Sequence, residues 1–567
     1  MSDAETILEW PPLESIPNSF LRLVDDACEL LTKYYIEGQK NKFPAWQETL
    51  RKIINHSEFE LARPPFRAGI FYRYGVALQW KVVMFDYSHD FAGAEKCWLE
   101  VIRLMPSESR LNLRSRYNIA LTRTNMYRSS GDVALLDSAV EMMRNCAIDS
   151  SADLPEAALC WEGLSWALDR RFTTLGNVKD LDLCVRAAES CVQVASPDSP
   201  RKMRYTARLA GALRMRFSVY GNIADIDNSI RLYEHLRNNI PENSVDWGAF
   251  LADSVMAWRG RYVLTGQLSD LLKAHEVAKL RLETVNPMSG NYQVASNSYG
   301  IICRHLFEAT GERAHIEDSI HHLRKAVGAI DELHESYPGD ISDLGNSLVA
   351  RYYAYHKVND LDEAIDCYSE ALRMVERGAA RQPGEKLRYP LEPIITSAYN
   401  LGTALIEKYK GRSSIAIEDT IEGVLKLAYE LGIRRLPGIA LQSAVARGRW
   451  HEGAKRFALA AQAYDSALQA AQQLFRQQAT TDDKVTRISK VKNLPQSAAF
   501  CHAQNSNYSQ AVLAIEQGRA ILLTESLDIQ AGELDALRDS GHSHLVDSYR
   551  AALLRLEIVS GQAGYSG

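Results

Sequence analysis

Apolar residues recur at spacings of three and four through long proline-free stretches such as 156–175 (EAALCWEGLSWALDRRFTTL), and this periodicity predicts amphipathic helices. Runs of strictly alternating apolar and polar residues bounded by hairpin turns are missing, so no strand is predicted. The pattern also repeats at long range. An aromatic column, Tyr127, Phe172, Phe217, Tyr262, Phe307 and Tyr352, steps by 45 residues. Four residues after it come Gly131, Gly176, Gly221, Gly266 and Gly311, with His356 in the sixth copy. Five residues beyond the glycine position stands an aliphatic residue (Leu136, Leu181, Ile226, Leu271, Ile316, Leu361). Eight beyond it stands a small one (Ala139, Cys184, Ser229, Ala274, Ser319, Ala364). Self-similarity at a fixed period marks stacked supersecondary units, none of which buries its apolar face without its neighbours.

Each copy reads as a helical hairpin. Helix A, roughly 19 residues long, ends where glycine can take the left-handed conformation that closes a helix. Asp180, Asp225, Asp270 and Asp360 are predicted to open helix B by accepting its unpaired backbone N–H groups. The aliphatic and small columns then lie about one turn apart on the same face of helix B, which runs roughly 16 residues. The expected fold class is all-α, a right-handed superhelical solenoid of hairpins. The expected organisation is an N-terminal helical cap over 1–65, the solenoid over 66–436, shorter hairpins over 437–530, and a charged connector helix and tail over 531–567. Around Asp86, Phe91 and Ala94 keep the helix B columns, which marks a decayed first copy.

Charge and composition narrow the function classes. The net charge is −6 with both signs mixed along the chain, without the basic excess of an obligate nucleic-acid binder. No run of 18 apolar residues occurs, and the first 15 residues lack the basic start and apolar core of a signal peptide. Nine cysteines, odd in number and without a CxxC pair, fit reduced thiols in the cytoplasm or nucleus, and the cytoplasm is the expected compartment. The expected partner is therefore neither nucleic acid nor membrane.

The candidate chemistry is sparse. Cys501-His502 and Cys303-Arg304-His305 pair a thiol with an imidazole, but adjacent helical residues point about 100° apart, and Cys303 shares its column with Leu168, Leu213, Trp258 and Leu348. Those thiols read as core, and no catalytic residue is assigned. His315, His321 and His322 have no Cys or Glu at a recognised ligand spacing, so neither a metal nor another cofactor is expected. There is no GxxxxGK[ST] phosphate loop. Arg214, Arg259 and Arg304 occupy one repeat position on three consecutive A helices and form either a basic ladder suited to carboxylates or, the commoner case for helix-surface charges, solvated residues and ion pairs with acidic neighbours. A second column, Arg171, Arg216, Arg261 and Arg351, is expected to pair with the aspartates that open helix B. The glycines and the aromatic residues, among them Phe172, Phe217, Tyr262 and Phe307, are assigned to structure, the latter as glue between hairpins.

Arg171-Phe172 with Leu175-Gly176-Asn177 and Asp180-Leu181-Asp182, Arg216-Phe217 with Gly221-Asn222 and Asp225-Ile226-Asp227, and the run from Asn359 to Ile365 form one signature. It resembles the long tetratricopeptide-like (TPR) repeats of CHAT proteins, in which such an array precedes a caspase-like peptidase domain. The stretch from Glu516 to Leu523 and the charged helix through Arg555 resemble the connector that joins array to peptidase in that family. The parallel sheet with a His and a Cys at strand ends that such a peptidase needs is not in this sequence. The resemblance implies the sensing or scaffolding half of a protease system; a ligand held on the A helices by Arg214, Arg259 and Arg304 is what the basic ladder itself suggests. It also implies contact with a CHAT peptidase domain through the connector. The other readings are a stand-alone assembly adaptor and a thiol hydrolase using Cys501 or Cys303.

Overall fold

In the computed structural model, the described residues are 18–519, except 36, 38, 86–89, 131, 151–154, 176, 198, 200, 242–243, 245–246, 287–289, 331–333, 335, 380–390, 411–413 and 477–492. Among them the chain is α-helical with short 3-10 turns and no strand, a TPR-like array of hairpins. Two compact units emerge, residues 1–216 with 224–253, and residues 217–223 with 254–567. Gly131, Gly176 and the connector from 520 onward lie outside the described residues.

The first unit opens on helices Leu21–Tyr35 and Phe43–Ile54, which pack Phe20, Phe43, Trp46 and Phe66 into an aromatic core. The hairpin Pro64–Phe85 and Asp90–Leu104 follows, with Ala94 fully buried in the small column. Next come the pairs Arg110–Ser130 with Val133–Asp149 and Pro155–Leu175 with Val178–Val194. Helices Lys202–Tyr220 and Ile223–Asn239 carry the array to the unit boundary. The second unit takes in residues 254–265 of helix Trp247–Thr265, which carries Arg259, and then helix Leu268–Thr284, followed by the pairs Gly290–Thr310 with Arg313–Gly328 and Tyr337–Tyr355 with Val358–Ala379. Leu391–Lys408 with Ile415–Gly432 and Pro437–Gly453 with Phe457–Arg476 extend it. Within each hairpin the small column is sealed: Ala139, Cys184, Ser229, Ala274, Ser319 and Ala364 are all 0% exposed, as close helix approach demands.

The turn geometry follows from backbone chemistry. Gly221, Gly266 and Gly311 take φ of 69°, 68° and 73°. Each donates its N–H to the carbonyl of the aromatic residue four before it, at 2.7–2.8 Å. His356 does the same to Tyr352 at 2.7 Å with φ 53°, although its Cβ makes that conformation costly. His356→Gly is therefore expected to raise stability by about 1 kcal/mol, measured by urea denaturation; a loss of stability would show that the imidazole contributes more than the strain costs.

One expectation is corrected. Asp180, Asp225, Asp270 and Asp360 do not cap helix B: in two copies the residue just after the glycine position does, with Asp132 accepting from Ala134 N at 3.0 Å and Asn177 from Lys179 N at 3.2 Å, while Gln267 and Glu312 at that position make no side-chain cap. The aspartates sit inside the first turn, at most 4% exposed, because each is drawn onto an arginine at the end of helix A. Arg171, Arg216 and Arg351 grip Asp180, Asp225 and Asp360 with two N–H donors each at 2.6–2.8 Å, and Arg261 reaches Asp270 at 2.8 Å. Arg171 and Arg351 also donate to Asp137 and Glu317 on the preceding helix B, so one guanidinium ties the turn and the repeat interface together. Across the six regular copies the two columns break together. Met126 and Leu135, then Leu306 and His315, fill the two positions in the remaining copies. Paired replacement is what the high cost of a lone buried charge predicts.

Candidate functional site

The ladder arginines do not stand as solvated cations. In the first unit Arg214 is 25% exposed and its Nη2 lies 3.5 Å from Asp253 Oδ1. In the second unit Arg259 and Arg304 project from successive A helices into a shared polar cluster. Arg304 Nη1 donates to Glu308 Oε1 at 2.5 Å, and the other oxygen of Glu308 meets His305 Nδ1 at 3.1 Å. Arg259 Nε donates to His305 Nε2 at 3.3 Å. Among the described residues no carboxylate lies within 4 Å of Arg259, so its nearest partner is an imidazole.

The electrostatics reflect this. Burial, then the charge of Arg304, pulls the Arg259 guanidinium below its ordinary value. Burial would raise Glu308, but hydrogen bonding from His305 and the charge of Arg304 hold it below the usual carboxylate range. His305 is lowered mainly by burial and so stays neutral near pH 7. Burial raises Asp343, against the pull of Arg304 and Arg259.

A wall of amides and acids completes the cluster. Asp340 takes hydrogen bonds from Gln293 and Asn297. Asn346 Oδ1 accepts from Asn400 Nδ2 at 2.8 Å and from the Tyr368 hydroxyl at 2.9 Å. Sequence reasoning missed these partners, although one signal was present: Asp253 and Asp343 share a repeat position two copies apart. Burial, with the Asp343 charge a lesser cause, pushes Asp340 up to about 6. The folded state then holds a proton that the unfolded chain releases near pH 4, so stability falls as pH rises from about 4 to about 6. Asp340→Asn is expected to flatten that slope in thermal melts across pH, and an unchanged slope would assign it to another group.

The remaining candidates resolve as core or solvent-facing groups. Cys303 and Cys501 are 0% exposed, and burial pushes their thiols up to about 12 and about 11, the opposite of an activated nucleophile. His502 Nε2 faces Asp465 at 3.0 Å rather than Cys501. All nine cysteines are unbonded, and Cys28 alone of them is part-exposed. No group of three or more His, Cys, Asp or Glu among the described residues is arranged to hold a metal. Phe217 and Phe307 of the aromatic column are buried, while Tyr127, Phe172, Tyr262 and Tyr352 are half-buried. No described helix is long and apolar enough to cross a membrane.

The first unit holds a cavity of about 250 Å³. Tyr117, Leu121 and Thr124 of helix Arg110–Ser130, Glu162 and Trp166 of Pro155–Leu175, Met143, and Arg204 of Lys202–Tyr220 line it.

No family model matches the sequence, and none of the curated proteins compared is similar to it. Among solved structures, the chain is similar to the human IFIT1 dimer with PPP-AAAA, at 12% identity and a TM-score of 0.39, over 85% of this chain and 95% of that one. It is also similar to the apo form of the quorum sensor NprR from B. thuringiensis, at 12% identity and a TM-score of 0.43, over 73% of this chain and 99% of that one. At such values the likeness carries no argument about this chain.

Proposed function

We propose that the chain is a non-enzymatic protein- or peptide-binding scaffold whose ligand is held on the polar face of the A helices, with Arg259 and Arg304 receiving an acidic group. The supporting observation is the desolvated Arg259 guanidinium, which faces a neutral imidazole and a second arginine instead of a carboxylate. A ligand carboxylate would supply the missing counter-charge and the paired acceptors that arginine favours. Arg214, already near Asp253, contributes less.

A protein ligand fits better than a nucleic acid. The net charge of −6, with both signs mixed along the chain, lacks the basic excess that a phosphate backbone requires. The test is selection from a displayed random-peptide library against the full chain and its Arg259→Gln/Arg304→Gln variant. Enrichment of peptides sharing an acidic position, with binding weakened at least about tenfold in the variant at unchanged circular dichroism, is the expected result. Equal enrichment would remove the arginines from the site, and tight binding of a single-stranded RNA control to wild type alone would reassign it.

The repeat signature and the connector-like run from Glu516 extend the reading to the regulatory half of a CHAT-type protease system in a reducing, cytoplasmic setting. Binding of a CHAT peptidase domain to residues 500–567 supports it. Partners captured only through the A helices would favour a stand-alone adaptor.

A further inference from the structure

The cavity of the first unit has the composition of a side-chain anchor rather than of a packing defect. Its volume of about 250 Å³ exceeds the ~150 Å³ apolar void that accepts a benzene and falls below the ~300–1,000 Å³ of sites for drug-sized molecules. That leaves room for one aromatic ring system. The wall is preorganised. Trp166 is held from one side by Arg170, whose guanidinium carbon lies 5.5 Å from the ring centroid. Tyr117, 7% exposed, and Met143, 1% exposed, abut the helix at Gly163. A Cβ there would stand 2.5 Å from Met143 Sδ and 2.9 Å from Tyr117 Cδ2, so only glycine lets ring and thioether close against that helix. Aromatic rings and a thioether favour an aromatic guest.

One charged group in the lining is nearly buried. Glu162 is 6% exposed, and its Oε1 accepts from Arg204 Nε at 2.9 Å, while Arg204 keeps half of its side chain in solvent. A carboxylate has about four acceptor positions, so Glu162 can take a further N–H from whatever enters. Arg204 fixes its orientation.

We propose that this cavity binds one aromatic side chain of a peptide, tryptophan or phenylalanine, with Glu162 accepting the N–H of the adjoining backbone amide. The proposal deepens the reading of the chain as a peptide-binding scaffold, at a site separate from Arg259 and Arg304. Its test therefore uses small probes that need no acidic group.

N-acetyltryptophanamide, N-acetylglycinamide and indole are titrated into the full chain by calorimetry or ligand-observed NMR. The tryptophan amide is expected to bind at least about tenfold tighter than the glycine amide, from ring burial, and about tenfold tighter than indole, from the amide contact. Leu121→Trp, which fills the cavity from a part-exposed position, and Trp166→Ala, which removes a wall, are each expected to weaken it about tenfold, with Tm read in parallel. Indole binding as tightly as the amide would make the site one for a free aromatic molecule and overturn the peptide assignment. Equal affinity for all three probes, or tryptophan-amide binding unaffected in both variants, would overturn the site. Failure of the arginine variant to weaken library peptides leaves these outcomes untouched, so the two readings fail separately.

Discussion

Asp360→Ala is expected to destabilise the chain by about 3–5 kcal/mol, a large share of the total for any folded unit. Asp360 is 4% exposed and Arg351 9%, and two N–H donors of the arginine bind the carboxylate at 2.7 and 2.8 Å. Removing the aspartate leaves that guanidinium without its main partner at a depth where water cannot replace it. Glu317, bonded to the third arginine nitrogen at 2.5 Å, is 41% exposed at its side chain and recovers little. The double variant Arg351→Leu/Asp360→His copies the Leu306 and His315 pair of the preceding hairpin, and is expected to regain most of the loss. Urea denaturation of the three proteins decides it. A single variant within about 1 kcal/mol of wild type would show that solvent reaches the pair.

Gly345→Ala is expected to cost about 1–3 kcal/mol without altering any polar contact directly. A Cβ at residue 345 would stand 2.7 Å from Tyr368 Cε1, and the Tyr368 ring is pinned from behind by core and in front by its hydrogen bond to Asn346. The same approach recurs where Gly300 meets Leu323, at 2.7 Å. Combining Gly345→Ala with Tyr368→Leu is expected to show a positive coupling in a double-mutant cycle, because the leucine vacates the space the methyl needs. Strict additivity would mean that the helices separate to accommodate the methyl, and that packing here is looser than the distances state.

Both variants touch features that a reader of the sequence sees only in part. The arginine and aspartate columns, and their expected pairing, were legible because both recur at the repeat period. That the aspartate faces the arginine instead of the helix N-terminus was not legible, since a carboxylate in a first helical turn serves either purpose and burial chooses between them. The ladder shows the same division. Position on successive helices brings Arg259 and Arg304 close in any such hairpin stack, but their partners come from residues with no repeat periodicity, Glu308 and His305 among them. The cavity beside Trp166 was invisible in the sequence. Trp166 falls at a position where the next copy has Gly211, and nothing in the pattern of apolar residues distinguishes a lined void from a filled one.

The period, the all-α class and the points where helices stop were therefore written into local chemistry. A 3.6-residue apolar rhythm, a residue able to hold positive φ and a polar residue just beyond it act within a few neighbours of themselves. Which charges lose their water, which find partners, and where space is left over depend on distances between residues 40 or more positions apart, as with Arg204 and Glu162 or Asn400 and Asn346. Those distances are set by how side-chain volumes interlock between helices, and linear spacing carries no record of that.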